Sequence, residues 1–219
     1  MFKNVKITTI VGPLDLIAPH SCRGCGRLGT VLCACCKNYI SCCDFHYDKR
    51  KFKGLPTIYT IGKREGLLGD LIHDYKYYSV RAIGKELAEL MCDRLPKDLP
   101  KNTYIVPLPT STKHIRERGF DHILYMAKKL AQMGGFKVLP LLVRNKNTVQ
   151  VGADKKTRLE QAEHAYEIND NIAIDPEATY ILFDDVWTTG ASMRAAAKKL
   201  KEAGAKKMQI AILSISDND

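Results

Sequence analysis

The sequence predicts an α/β protein: a mostly parallel sheet flanked by helices, with a small cysteine-rich region in front of it. Three observations carry this. From Thr57 onward, short apolar runs alternate with stripes of helical period, the pattern of parallel strands joined by crossover helices. Seven of the eight cysteines crowd between residues 22 and 43. The 219 residues suffice for one sizeable core and an appendage, and not comfortably for two full domains. The expected division is residues 1–54 and 55–219.

TIYTIG (57–62) reads as the first strand. Ser79 to Arg94 carries apolar residues at Val80, Ile83, Leu87, Leu90 and Met91, a helical stripe that Pro96 and Pro100 end. TYIVPLP (103–109) is a short apolar run closed by prolines, a buried strand. A helix follows from about Gly119, with Ile123, Tyr125, Met126, Leu130 and Met133 on its apolar side, and stops at Gly134 and Gly135. KVLPLLV (137–143) reads as a further strand, in which Pro140 argues for an edge or a bulge. The polar stretch between Asn145 and Tyr166 is a candidate mobile loop. TYILFDDV (179–186), a helix over Ala191 to Ala203 stopped by Gly204, and MQIAILSI (208–215) form a strand-helix-strand unit.

Composition sets limits on function. Hydrophobic residues are 45% and charged residues 26%, an ordinary globular balance. No apolar run approaches the ~18 to 20 residues needed to span a bilayer. The first 22 residues carry lysines and apolar positions, but Pro13 and Asp15 break the apolar stretch and no small-residue cleavage site follows. The chain therefore reads as cytoplasmic. Net charge is +10, from 34 basic and 24 acidic residues, concentrated at Lys49 to Lys53, Lys113 to Arg118, and the pairs Lys198-Lys199 and Lys206-Lys207. That balance suits a polyanion, either a sugar phosphate or nucleic acid; for any single cluster a plain solvated surface competes.

The most informative stretch is YILFDDVWTTGASM, Tyr180 to Met193. A buried strand runs into two carboxylates, then a Thr-Thr-Gly turn, then a helix. In open α/β sheets ligands bind at the carboxyl ends of strands, where this segment falls. Gly190 permits a backbone geometry in which successive N–H groups converge. With the hydroxyls of Thr188, Thr189 and Ser192 and the helix start at Ala191, they form a phosphate cradle. Asp184 and Asp185, the expected catalytic pair, lie within reach of two sugar hydroxyls or a hydrated Mg²⁺. A phosphate cradle beside a diol acceptor describes a ribose 5-phosphate. Neither a P-loop nor a GxGxxG turn is present. Trp187 either stacks on a base or packs against neighbouring turns.

Cys22-x2-Cys25, seven residues, then Cys33-x2-Cys36 presents four thiolates on two tight turns. That is the spacing of a tetrahedral S4 shell for Zn²⁺, and a closed shell implies a structural metal. Cys35, Cys42 and Cys43 are spare thiols, and Cys43-x2-His46 has the form of the remnant of a second knuckle.

These segments together resemble the ComF family, in which a cysteine knuckle precedes a domain of the type I phosphoribosyltransferase fold. ILFDDVWTTGAS is similar to the signature that binds phosphoribosyl pyrophosphate (PRPP). PLDLIAPHSCRGCG (13–26) is similar to the family's approach to its first knuckle. In IVPLPTSTKHIRERGFDH (105–122), Arg116, Arg118, Gly119 and Phe120 match an Arg-x-Arg-Gly-Phe-Asn-Gln core, while Asp121 and His122 replace the Asn and Gln. TVQVGADKKTRLEQAEHAY (148–166) resembles the family's mobile loop through Gln150, Gly152, Arg158 and Ala165, with Gln161 where the family has Asn.

The resemblance implies that Lys113, Arg116 and Arg118 hold pyrophosphate, Arg because its fork meets two phosphate oxygens at once. It also implies that Lys155, Lys156 and Arg158 close over the site. Two functions remain in view. One is phosphoribosyl transfer from PRPP with Mg²⁺. The other is a non-enzymatic factor that handles single-stranded DNA in natural transformation, with a nucleotide-sensing pocket and a DNA-uptake helicase as partner.

Overall fold

The computed structural model describes residues 20–43, 52–78, 80–145 and 165–216. Among them are strands β1 (Ile58–Lys63), β2 (Thr103–Pro107), β3 (Lys137–Val138), β4 (Leu142–Arg144), β5 (Tyr166–Ile168), β6 (Thr179–Trp187) and β7 (Lys207–Ile215). Helices are α1 (Ala34–Cys42), α2 (Gly66–Tyr77), α3 (Arg81–Arg94), α4 (Thr112–Arg118), α5 (His122–Gly134) and α6 (Ala191–Glu202).

The main sheet has five strands in the order β1-β7-β6-β2-β3, and every pairing in it is parallel. The predicted α/β class is the observed one. β6 and β7 lie inside the sheet and are apolar on both faces, as strands covered on both sides must be. Ile181 and Phe183 of β6 join a cluster with Leu71, Ile83, Leu87, Ile123 and Met126 of α2, α3 and α5. The alternate residues Tyr180 and Leu182 join Met193, Ala196 and Leu200 of α6. β6 is thus the strand on which both layers meet.

Three readings from sequence are refined. The helix expected from about Gly119 starts at His122, and a separate helix precedes it: Gly119 ends α4 with φ 74°, and Asp121 caps α5 by accepting from the Leu124 amide at 3.0 Å. The run 137–143 is broken around Pro140. β3 forms the sheet edge beside β2, whereas β4 leaves it and pairs antiparallel with β5. A proline cannot donate to a ladder, so the strand divides there. The third refinement is α2, which was not foreseen. Its stripe Leu68, Leu71, Ile72 and Tyr75 is fully buried, and that burial overrides the low helix propensity of Gly66 and Gly69.

The cysteine region packs into the same core. Cys22, Val31, Leu32, Cys33 and Ile40 belong to the cluster that contains Ile61, Leu68 and Leu90. Arg23 pairs with Asp74 of α2 at 3.0 Å. Lys37 pairs with Glu89 of α3 at 2.8 Å and also with Glu86. The candidate mobile loop, residues 146–164 with Gln150, Gly152, Lys155, Lys156, Arg158 and Gln161, lies outside the described residues. The residues bounding it are tied together, since the Asn145 amide donates to the Ala165 carbonyl at 3.0 Å. Among the described residues, no helix is long and apolar enough to cross a membrane.

Candidate functional site

Strand alternation separates the two acids at the end of β6. Asp184 falls on the α6 side and lines a cleft with Trp187, Thr188, Thr189, Gly190, Ala191 and Ser192. Asp185 falls on the opposite side, among α2 and α5. The acids are neighbours in sequence with different surroundings, so they do not form one symmetrical pair.

In the cleft, Gly190 adopts φ 76° at the cap of α6. A Cβ there would run into the Trp187 ring, so glycine is required both by backbone and by space. The Ala191 amide meets the Thr189 hydroxyl at 3.4 Å. No acidic residue occupies the first turn of α6, which leaves the positive end of the helix dipole facing the cleft. Tyr166 of β5 is buried, which pushes its phenol above the ordinary value. Trp187 is buried, 4.7 Å from the Phe52 ring centroid. It packs; of its two expected roles, that is the one the structure holds.

Asp185 is 6% exposed and gathers its partners on one oxygen. Oδ2 lies 2.7 Å from the Lys76 Nζ and 2.8 Å from the His122 Nε2. The Arg118 Nη1 stands 2.9 Å from the other ring nitrogen, Nδ1. The same Nη1 also lies 3.0 Å from Nε2, so Arg118 contacts both ring nitrogens of His122. The Tyr75 hydroxyl donates to the His122 carbonyl at 2.7 Å and fixes the residue below.

The electrostatics differ accordingly. Burial works to raise the Asp185 carboxyl, but the His122 hydrogen bond and the Lys76 charge outweigh it and hold it down at about 2. On Asp184 the Lys76 and Arg144 charges act in the same lowering sense but do not prevail. Burial, and then the charge of Asp185, push it up to about 7. The surroundings thus favour the charged form of Asp185 and disfavour that of Asp184.

The candidate residues divide as follows. Asp184, Thr188, Thr189, Gly190, Ala191 and Ser192 share the cleft, and Asp185 and Arg118 share the His122 network. Lys113 and Arg116 are exposed on α4, where Lys113 pairs with Glu117 at 3.9 Å. Arg158 lies outside the described residues. Lys76 was not foreseen, because nothing in sequence ties a residue of α2 to the end of β6. His122 was visible only as a departure from the family pattern. The adjoining departure, Asp121, has its own work as the α5 cap and as acceptor from the Thr110 hydroxyl at 3.0 Å.

The Sγ atoms of Cys22, Cys25, Cys33 and Cys36 all lie within 4.8 Å of one another. Cys25 and Cys33 are 3.6 Å apart, close to the edge of about 3.8 Å for a tetrahedron with ~2.3 Å Zn–S arms. The Cys33 amide donates to the Cys22 Sγ at 3.3 Å. Burial raises that thiol, but this bond and others from backbone amides prevail and lower it to about 6, favouring the thiolate that binds metal. A side chain on Gly24 would strike Cys36 and Leu67. Cys35, Cys42 and Cys43 are exposed and outside the cluster; His46 is beyond the described residues.

No protein-family model matches the chain. Among curated proteins, the competence protein ComFC of Streptococcus pneumoniae is 28% identical over 137 residues, 63% of this chain and 58% of that protein. The competence protein ComFC of Bacillus subtilis is 25% identical over 194 residues, 87% of this chain and 75% of that protein. The chain is similar to ComFC. It spans little more than half the length of the pneumococcal ComFC. Solved structures with a related backbone include glutamine PRPP amidotransferase from B. subtilis, at 15% identity and TM-score 0.45, covering 64% of this chain and 30% of that one. Another is adenine phosphoribosyl transferase from Trypanosoma brucei, at 11% identity and TM-score 0.45, covering 75% and 86%.

Proposed function

We propose that the end of β6 binds the ribose 5-phosphate portion of PRPP or a related nucleotide, together with Mg²⁺, and that the four-cysteine knuckle holds a structural Zn²⁺. The observation that carries the first part is the sharing of one cleft by Asp184 and the Thr188-to-Ser192 turn. Backbone N–H groups at the start of α6 and the turn hydroxyls suit a phosphate, and a carboxylate beside them suits a sugar diol. Asp184 and the threonine hydroxyls are hard oxygen donors of the kind Mg²⁺ accepts; the ion, when bound, offsets pyrophosphate charge. Asp185, held ionised by Lys76 and His122, supplies a fixed negative potential where positive charge grows at the anomeric carbon during transfer.

Asp184 gives the test. Its folded value lies above its unfolded one, so its contribution to stability is fully present below about 3.8 and is lost as pH rises through about 7. Asp184→Asn is therefore expected to raise the melting temperature of the ligand-free protein at pH 8 and to change it little at pH 5. In wild type, PRPP with Mg²⁺ at about 100 times its Kd stabilises by about 2.7 kcal/mol; in Asp184→Asn that rise disappears. Thermal melts with and without PRPP measure both. No ligand-induced rise in wild type would refute the reading.

The competence proteins among its relatives favour a second reading, a factor that handles single-stranded DNA alongside an uptake helicase. Arg194, Lys198, Lys201 and Lys206 line one groove beside α6 and suit a phosphate backbone. Binding to a single-stranded oligonucleotide is expected to weaken steeply with salt, and a flat salt dependence in fluorescence anisotropy would dismiss it.

A further inference from the structure

The C-terminal end of α2 carries a group of rings that the reading above leaves unused. Tyr77 and Tyr78 are 59% and 68% exposed. The His73 ring centroid lies 4.9 Å from that of Tyr77 and 5.6 Å from that of Tyr78. The Arg118 guanidinium sits over Tyr77, 5.8 Å from its centroid. Single exposed tyrosines are ordinary on a surface. These adjoin the candidate site through two independent links. Lys76, the residue before Tyr77, contacts Asp185 at 2.7 Å. Arg118, which covers Tyr77, also contacts His122, and His122 contacts Asp185. Asp184, the next residue along β6, opens into the phosphate cleft on the other side.

We propose that His73, Tyr77 and Tyr78 form a stacking shelf for the nucleobase of a nucleotide whose sugar phosphate lies across the end of β6. The proposal rests on that reading of the cleft and adds what lies beyond the sugar. A ligand bridging the strand end has its phosphate on the α6 side and its base on the α2 side. Stacking accepts any base, since each has a π-face, and a guanidinium over the same ring adds a cationic partner. The shelf therefore selects for the presence of a base more than for its identity.

Calorimetric titration of wild type, Tyr77→Ala and Tyr77→Phe with AMP and, separately, with ribose 5-phosphate tests this. AMP is expected to bind wild type more tightly than ribose 5-phosphate does. Tyr77→Ala should weaken AMP by about tenfold, within the range of base–aromatic stacking, and leave ribose 5-phosphate unchanged. Tyr77→Phe should bind AMP as wild type does. Ribose 5-phosphate binding, with AMP no tighter or with both ligands weakened equally by Tyr77→Ala, would overturn the shelf and leave the cleft standing. If neither ligand binds wild type, the reading of the cleft falls and takes the shelf with it.

Discussion

If the knuckle holds the proposed zinc, a strong chelator is expected to lower the melting temperature by about 10 °C or more, the largest effect foreseen for any single perturbation. Structural zinc contributes about 10 to 16 kcal/mol to the folding of small zinc-finger peptides, and for a chain of this size each kcal/mol moves the midpoint by about 2 to 4 °C. Only part of the peptide figure is recoverable here, because Val31, Leu32 and Ile40 also bury apolar surface in the main core. Without metal, the four thiols face one another. Burial and the neighbouring sulfurs disfavour the Cys36 thiolate, and a bound cation would offset that cost. The loss is also expected to travel. Arg23 holds Asp74, and Lys37 holds Glu89, so the knuckle braces the helices that carry Lys76 and back it. Elemental analysis should give about one zinc per chain, and Cys33→Ser should lose both the metal and the stability. A metal-free preparation that melts where the native protein does would refute this role.

The second large effect is expected from Lys76→Met. Lys76 and Asp185 are 12% and 9% exposed at their side chains and 2.7 Å apart. Removing one partner of such a buried pair costs about 3 to 5 kcal/mol, because the remaining charge is left without compensation. pH gives a further signature. The Asp185 carboxyl is depressed in the fold, so its stabilising contribution is present above its unfolded value of about 3.8 and is lost as pH falls toward about 2. Without the lysine the carboxyl rises toward its unfolded value, so the stability gap between wild type and variant should narrow as pH falls below about 3.8. Urea melts between pH 3 and 7 would show it. Equal stability of the two proteins throughout would mean that the pair does not hold the site.

How far the sequence reveals this molecule depends on how local each feature is. β6, the turn at Gly190 and α6 form one continuous segment whose apolar run, acids and glycine define strand, bend and helix. The knuckle is equally local, with all four thiols within fifteen residues. What escaped was set by tertiary structure. α2 is helical because Leu71, Ile72 and Tyr75 are buried under the sheet, despite two glycines. Its Lys76 reaches Asp185 across more than a hundred residues of sequence. The division of labour between Asp184 and Asp185 follows from strand alternation, but it needed the positions of α2, α5 and α6 to say which acid faces which neighbours. His122, read from sequence only as a departure from a resembling motif, contacts Asp185 at 2.8 Å.

The claim on which the rest depends is that the end of β6, with the turn beyond it, grips a phosphorylated pentose. Phosphorus NMR of ribose 5-phosphate titrated with the zinc-loaded protein addresses it without requiring turnover. The phosphate resonance is expected to shift and broaden saturably with wild type and to keep its free position and width with Asp184→Asn. An unchanged resonance with wild type, at protein concentrations that exceed the ligand, would contradict the account.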